Sequence, residues 1–248
     1  SDLSTIQRGN FIEIRQTDEN TCVEKPDGVL RMGKWEDNIF IATTGADGKN
    51  AFQSQPFENL IKQFNIDEDR VAITGWSLGG GVALFSAWRP LKNAINKNLK
   101  FAAHLSYYPP CIVEPNTLDF SDSPIHLLVG ELDDWVPANA CVDLALKMRE
   151  EGANIEVTVY KDSHHSFDRV HPPKIAENGY KLEDCRLKMN AEGSVLMNYW
   201  NIPMTSPWLQ KIGMYFCAER GPFMGGHPES KKKAHLFASE FMKKHLLD

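Results

Sequence analysis

The sequence predicts an α/β fold, with a mostly parallel sheet flanked by helices on both faces. Three observations predict it. Between residues 71 and 160, short apolar runs alternate with helical patterns. A glycine-rich turn joins the first of these runs to a helix of small residues. Residues 230–247 close the chain as an amphipathic helix. At 248 residues the chain can bury a core that needs no metal or disulfide to fold.

Taken in order, the first 60 residues are the least readable, with short strands expected at 11–14 and 39–42. Val71-Ala72-Ile73-Thr74 is an apolar run entered from charged residues and stopped by Gly75, the pattern of a buried strand. Residues 79–88 are small and apolar and suit a helix packed tightly on a sheet. Further strands are expected at 101–107, 125–129 and 155–160. A helix over 138–151 carries Val142, Leu144, Leu146 and Met148 among polar residues. Residues 171–228 are rich in Pro, Gly, Asn and aromatic side chains, with helical hints only near 180–189. They read as an irregular insertion in one α/β domain spanning 1–248, a lid or rim over the site. Its Tyr199, Trp200, Pro203, Met204, Pro207 and Trp208 are apolar enough to bury a hydrophobic group. In the closing helix Ala234, Phe237, Phe241 and Leu246 are the expected buried positions.

Charge narrows the partners. A formal net charge of -6 gives no electrostatic reason to expect nucleic acid or an anionic membrane. The one basic run, Lys231-Lys232-Lys233, reads as the solvated start of a helix. No apolar stretch approaches the roughly 18 residues that span a bilayer. The five cysteines include no CxxC pair, which argues against zinc. Cys185 and Cys217 fall in a loop-rich region and could be bridged, while the odd count fits free thiols equally well. Compartment, whether cytoplasmic or exported, and oligomeric state are left open.

The chemistry centres on Gly75-Trp76-Ser77-Leu78-Gly79-Gly80, which fits the G-x-S-x-G turn of a nucleophilic serine. A strand that turns sharply into a helix with serine at the apex needs small neighbours. The helix then aims its free N–H groups at the serine, so the Leu78 N–H is a ready oxyanion donor. A serine hydroxyl also needs a base. Lys161-Asp162-Ser163-His164-His165-Ser166-Phe167 follows the last predicted strand and offers His164 and His165. An acid in Gly130-Glu131-Leu132-Asp133-Asp134-Trp135-Val136-Pro137, just past another strand, completes the order Ser…Asp…His. All three loops leave the carboxyl ends of strands, where open α/β sheets place their sites. Trp76, Tyr107, Trp135 and Phe167 stand beside these residues and could line a pocket or simply pack. His104 and His126 lie within apolar strands and read as satisfied core histidines. Cys111 lacks a strand–turn context and reads as structural.

These stretches, with Ile66-Asp67-Glu68-Asp69-Arg70-Val71, Tyr107-Tyr108-Pro109-Pro110-Cys111 and the closing helix, resemble the dienelactone hydrolase family of the α/β-hydrolase superfamily. The resemblance covers roughly half of the chain by motif matching. It implies Asp133 rather than Asp134 as the acid, because the family's acid stands four residues before the Val-Pro proline. It implies His165 rather than His164 as the base, because an aromatic residue follows two places later. It implies a small-molecule ester as substrate, with no cofactor and no metal. Dienelactone hydrolases proper carry a cysteine nucleophile, so Ser77 favours ordinary carboxylic esters. The family's long N-terminal region, with its His-Gly oxyanion loop, has no counterpart before Ser77. Thr43-Thr44-Gly45 is the nearest candidate, so the N-terminal strands are expected to be divergent or missing. Two rival readings are a peptidase and a catalytically silent relative that acts as a binding module.

Overall fold

The computed structural model describes residues 2–8, 11–17, 40–44 and 67–247, apart from 192, 198 and 199. Strands β1 (Asp2–Arg8) and β2 (Phe11–Thr17) pair as an antiparallel hairpin, from Asp2 opposite Thr17 to Arg8 opposite Phe11. Strand β3 (Phe40–Thr44) opens the main sheet. After it come β4 (Val71–Trp76), helix α1 (Leu78–Phe85), helix α2 (Arg89–Ile95), β5 (Ala103–Tyr107) and the short β6 (Val113–Pro115). They are followed by β7 (Ile125–Gly130), α3 (Ala138–Glu150) and β8 (Ile155–Tyr160). The predicted β4, β5, β7 and β8 are therefore all present. The strand expected at 39–42 is β3, and the one expected at 11–14 lies within β2.

The main sheet has the order β3-β4-β5-β7-β8, and every neighbouring pair is parallel. Its register aligns Thr44 with Gly75, Trp76 with Tyr107, Tyr107 with Leu128, and Gly130 with Tyr160. One edge of the sheet thus gathers the loops that follow β4, β5, β7 and β8. Asp67 sets up β4: its carboxylate accepts the Asp69 N–H at 3.0 Å and the Arg70 Nε–H at 2.8 Å, capping a short turn that leads into the strand.

Side chains alternate across a strand, so the strands divide their apolar residues between two cores. On one face Ile125, Leu127, Val129 and Ile155 pack with Leu84 and Phe85 of α1 and with Cys141, Leu144, Ala145 and Met148 of α3. On the other, Ala103, Leu105, Tyr107, Leu128 and Tyr160 pack with Ala234, Phe241, Met242 and Leu246 of the last helix, Pro228–Leu246. Helices cover both faces, as the alternation in sequence implied. In α3 the buried stripe is Cys141, Leu144, Ala145 and Met148, the spacing of one helical face; of the apolar residues noted in its sequence, Leu146 is exposed.

Residues 171–228 differ from expectation. The helical hints at 180–189 are two short strands instead. Strands β9 (Lys174–Ile175) and β10 (Tyr180–Lys181) run outward. They are followed by β11 (Leu187–Met189), β12 (Val195–Leu196), helix α4 (Pro207–Met214), β13 (Glu219–Arg220) and β14 (Phe223–Met224). The outgoing and returning legs zip together: β9 pairs with β14, β10 with β13, and a Cys185–Cys217 disulfide closes the next step. Two-residue strands carry too little periodicity to be read from sequence. Beyond the disulfide, β11 pairs with β6, and Met189, Met197 and Met204 join the core on the α1–α3 face. The final helix, α5 (Pro228–Leu246), buries Ala234, Phe241 and Leu246, with Phe237 packed partly against them. Among the described residues no helix is long and apolar enough to cross a membrane.

Candidate active site

Ser77 stands at the apex between β4 and α1 with φ 53° and ψ -119°, a conformation that L-residues rarely adopt. The turn is held from both sides: the Ser77 N–H donates to the Tyr107 carbonyl at 3.0 Å, and the Ser77 carbonyl accepts the Gly81 N–H at 3.0 Å. Leu78 is the first residue of α1, so its N–H belongs to the first helical turn, whose N–H groups have no acceptor within the helix. Gly45, the other expected oxyanion position, lies outside the described residues; the strand before it, β3, ends with Thr44 beside Gly75.

Asp133 leaves the end of β7. Its Oδ1 accepts the Trp135 N–H at 3.0 Å and the Val136 N–H at 2.9 Å. Its Oδ2 lies 2.8 Å from His165 Nδ1. His165 Nε2 lies 2.9 Å from Ser77 Oγ. A buried carboxylate only accepts, so Nδ1 carries the imidazole proton, Nε2 is an acceptor, and the Ser77 hydroxyl donates to it. Asp133 and His165 are 4% and 2% exposed, which keeps water from competing for this chain of bonds. The loops bearing them are fastened together: the Leu132 N–H donates to the Ser163 carbonyl at 2.9 Å. This approach demands glycine at 130, where a Cβ would come within 2.3 Å of the Ser163 oxygen.

The neighbouring candidates fall elsewhere. His164 turns away: its Nδ1 is 3.1 Å from the Leu132 carbonyl and its ring rests on Phe223. Asp134 accepts the Phe223 N–H at 2.9 Å and pairs with Lys181 at 3.0 Å. Of the four aromatic candidates, Trp135 lies against the His165 ring at 5.1 Å and Trp76 stacks on Tyr107 at 5.2 Å. Tyr107 and Phe167 are 3% and 0% exposed inside the α5-side core, so they pack behind the site instead of walling an open cleft. His104 and His126 are satisfied in the core. The His104 Nδ1–H faces the Ala83 carbonyl at 2.9 Å, and His126 Nε2 meets Thr158 Oγ1 at 2.8 Å.

Sequence reasoning overlooked Tyr108. Its ring contacts His165 edge-on at 4.6 Å, and its hydroxyl donates to Asp168 Oδ1 at 2.7 Å. Burial and then the Asp168 charge push the Tyr108 phenol well above its ordinary pKa, so it stays a donor. Tyr108 (φ 38°) and Ser166 (φ 59°) share with Ser77 a left-handed backbone, and all three flank the same imidazole. The available signal was Tyr108's place one residue beyond β5, at the edge from which the other loops depart. A second omission is the Cys111–Cys141 disulfide, which ties the Tyr108-Pro109-Pro110 loop to α3. The two cysteines are 30 residues apart in different elements, a pairing that spacing cannot reveal.

The 171–228 segment meets the site at its two paired legs. The Gly225 N–H donates to the His165 carbonyl at 2.9 Å, and the His227 N–H donates to the Phe167 carbonyl at 2.8 Å. Gly179 packs beside the Trp135 ring. Of the residues expected to bury a hydrophobic group, Met204 is buried on the α1–α3 face, whereas Trp200 and Trp208 are 64% and 60% exposed; Tyr199 lies outside the described residues. Among the described residues no group of three or more His, Cys, Asp or Glu side chains is placed to hold a metal ion.

Several solved structures are similar to part of this chain. Esterase 2 of Thermogutta terrifontis is 16% identical over 48% of this chain and 56% of its own, with a TM-score of 0.38. An α/β hydrolase from a Medee basin deep-sea metagenome library is 16% identical over 46% and 47%, with a TM-score of 0.35. A thermostable esterase is 25% identical over 44% and 27%, with a TM-score of 0.33. The chain spans about half the length of the first of the solved structures it matches. No curated protein sequence matches it. The model of the dienelactone hydrolase family, in contrast, matches residues 47–191, more than half of the sequence and the loops that carry Ser77, Asp133 and His165, and the chain belongs to that family.

Proposed function

We propose that this chain is a serine hydrolase that cleaves carboxylic esters through an acyl-enzyme. The observation that carries the reading is the unbroken chain of hydrogen bonds Asp133–His165–Ser77, ending on a serine held in a strained turn at a helix N-terminus. Ser77 Oγ attacks the ester carbonyl while His165 Nε2 takes its proton. The tetrahedral oxyanion is received by the Leu78 N–H at the positive end of α1. His165 then gives its proton to the leaving alcohol, and the acyl group stays on Ser77. Water, deprotonated by the same nitrogen, attacks the acyl-enzyme and regenerates the serine. Asp133 fixes the imidazole tautomer and stabilises the imidazolium. The paired legs of the 171–228 segment form a rim beside the base: Trp135 lies between Gly179 of the outgoing leg and the His165 ring, and Gly225 of the returning leg bonds the His165 carbonyl directly.

The test is turnover of p-nitrophenyl esters of increasing acyl length, with Ser77→Ala as the reference. Removing a triad nucleophile costs about six orders of magnitude in kcat. A Ser77→Ala protein that kept more than a few per cent of wild-type turnover would show that another group attacks the ester. Peptide substrates in the same series separate an esterase from a peptidase.

A further inference from the structure

We propose that Asp134, the neighbour of the acid, is a positioning residue that locks the acid's loop to the base's loop through the returning leg of the 171–228 segment. The inference rests on the reading of Ser77, His165 and Asp133 given above. Three polar contacts converge on Asp134 from that segment. Its Oδ1 accepts the Phe223 N–H at 2.9 Å, its Oδ2 meets Lys181 Nζ at 3.0 Å, and its carbonyl accepts the Leu182 N–H at 3.2 Å. Phe223 begins β14, and the next residue, Met224, forms a parallel bridge with His165. One residue further, the Gly225 N–H donates to the His165 carbonyl at 2.9 Å. The connection therefore runs from the Asp134 carboxylate through three consecutive residues of β14 and its exit to the backbone of the base.

This closes a triangle. Its first side is the covalent step from Asp133 to Asp134. The second is Asp134 to Phe223 and on to His165. The third is the Asp133–His165 hydrogen bond itself, 2.8 Å long. With the second side present, the imidazole is fixed by its main chain as well as by its ring. Without it, β14 keeps its bonds to the base's loop at His165 and Phe167 and the Phe223–His164 ring contact, but loses its side-chain tie to the acid's loop, so the base can shift with the segment relative to Asp133. Lys181 reinforces the lock from the opposite leg, because β10 pairs with β13. The Asp134 charge in turn raises the Lys181 pKa, through their hydrogen bond first and charge attraction second. Two adjacent aspartates thus divide the work: Asp133 faces the imidazole, and Asp134 faces the segment that carries it.

The experiment measures kcat and KM for p-nitrophenyl acetate in Asp134→Ala, Asp134→Asn and Lys181→Met, normalised to serine titrated with a fluorophosphonate. Asp133→Asn and Ser77→Ala are the references. Displacing a catalytic group by an ångström costs up to about a hundredfold, so Asp134→Ala is expected to lose about tenfold or more in kcat and in labelling rate. KM should stay within about twofold, because ground-state contacts are untouched. Asp134→Asn, which keeps an acceptor for the Phe223 N–H but loses the charge pair, should fall between, alongside Lys181→Met. Unchanged kcat per titrated serine in Asp134→Ala, with only a lower melting temperature, overturns the proposal. If Asp134→Ala does not fold, the other two variants decide: a loss in kcat supports the lock, and wild-type kcat overturns it. Failure of the underlying reading looks different, since then Ser77→Ala or Asp133→Asn retains turnover whatever Asp134 does.

Discussion

Replacing Gly80 by alanine should damage the site without touching any reacting group. A Cβ at that position would lie 2.5 Å from the Tyr107 carbonyl oxygen, 3.3 Å from the Gly75 oxygen and 3.4 Å from Pro109 Cα. All three are backbone atoms and cannot rotate aside. Carbon seldom approaches a carbonyl oxygen closer than about 3.3 Å, so α1 must retreat from β5 by about 0.8 Å. The Tyr107 carbonyl that blocks the methyl is the one that receives the Ser77 N–H, so the retreat acts directly on the nucleophile's turn. If Ser77 Oγ moves with the helix, its 2.9 Å bond to His165 Nε2 opens. A gap of about 3.7 Å is beyond hydrogen-bond reach. The expected loss is about a hundredfold in kcat. Overpacking should cost about 1–3 kcal/mol of stability, offset in part by alanine's helix propensity of about 1 kcal/mol. Steady-state kinetics on a p-nitrophenyl ester, with urea melts of the same preparation, measures both. A variant whose kcat stays within about threefold of wild type would refute the reasoning, because α1 would then have room that the close contacts deny it.

Acid should destabilise the fold through two core histidines. Burial lowers the pKa of both His104 and His126 from 6.5 to about 4. The unfolded chain takes up these protons near pH 6.5, and the folded chain only near 4. This contribution is present in full above about pH 6.5, is lost as pH falls toward about 4, and has a ceiling on the order of 3 kcal/mol per histidine. Urea midpoints measured across that window should fall with pH, and the slope should shrink in His126→Gln; an unchanged slope in that variant would contradict the assignment. Loss of either disulfide should also weaken the fold. The pairs Cys111–Cys141 and Cys185–Cys217 close loops of 30 and 32 residues. Chain entropy alone assigns loops of that size about 3–4 kcal/mol each. The Cys111→Ser/Cys141→Ser pair should lower kcat as well as stability, because it frees the loop that carries Tyr108. Equal kcat in the two double mutants would show that the Tyr108 loop is held by other contacts.

The parts of this fold that were legible from sequence are those with a strong period. Strands β4, β5 and β7 are apolar runs buried on both faces, β8 is an apolar run with Glu156 and Val159 exposed, and Gly80 and Gly130 mark places where backbones meet too closely for a side chain. Asp133 and His165 could be chosen over their neighbours only through family resemblance, because composition cannot distinguish two adjacent aspartates or two adjacent histidines. The structure separates them by the direction each side chain leaves the strand end. The contacts made by residues 171–228 were hidden for a related reason. Its strands are two or three residues long, and its attachment to the site is made by backbone groups of Phe223 and Gly225 and by the side chain of Asp134. Backbone donors carry no residue signature. Trp200 and Trp208, the conspicuous apolar residues of that segment, are largely exposed, and hydrophobicity alone did not reveal which way they face.

The central claim is that Ser77 is an activated nucleophile. Incubating the protein with a fluorophosphonate and locating the adduct by peptide mass spectrometry tests it most directly, since an ordinary serine hydroxyl is too weak a nucleophile to react. The account predicts one adduct per chain, on Ser77, formed more slowly by orders of magnitude in His165→Ala and absent in Ser77→Ala. An unlabelled wild-type protein, or an adduct on any other residue, would contradict it.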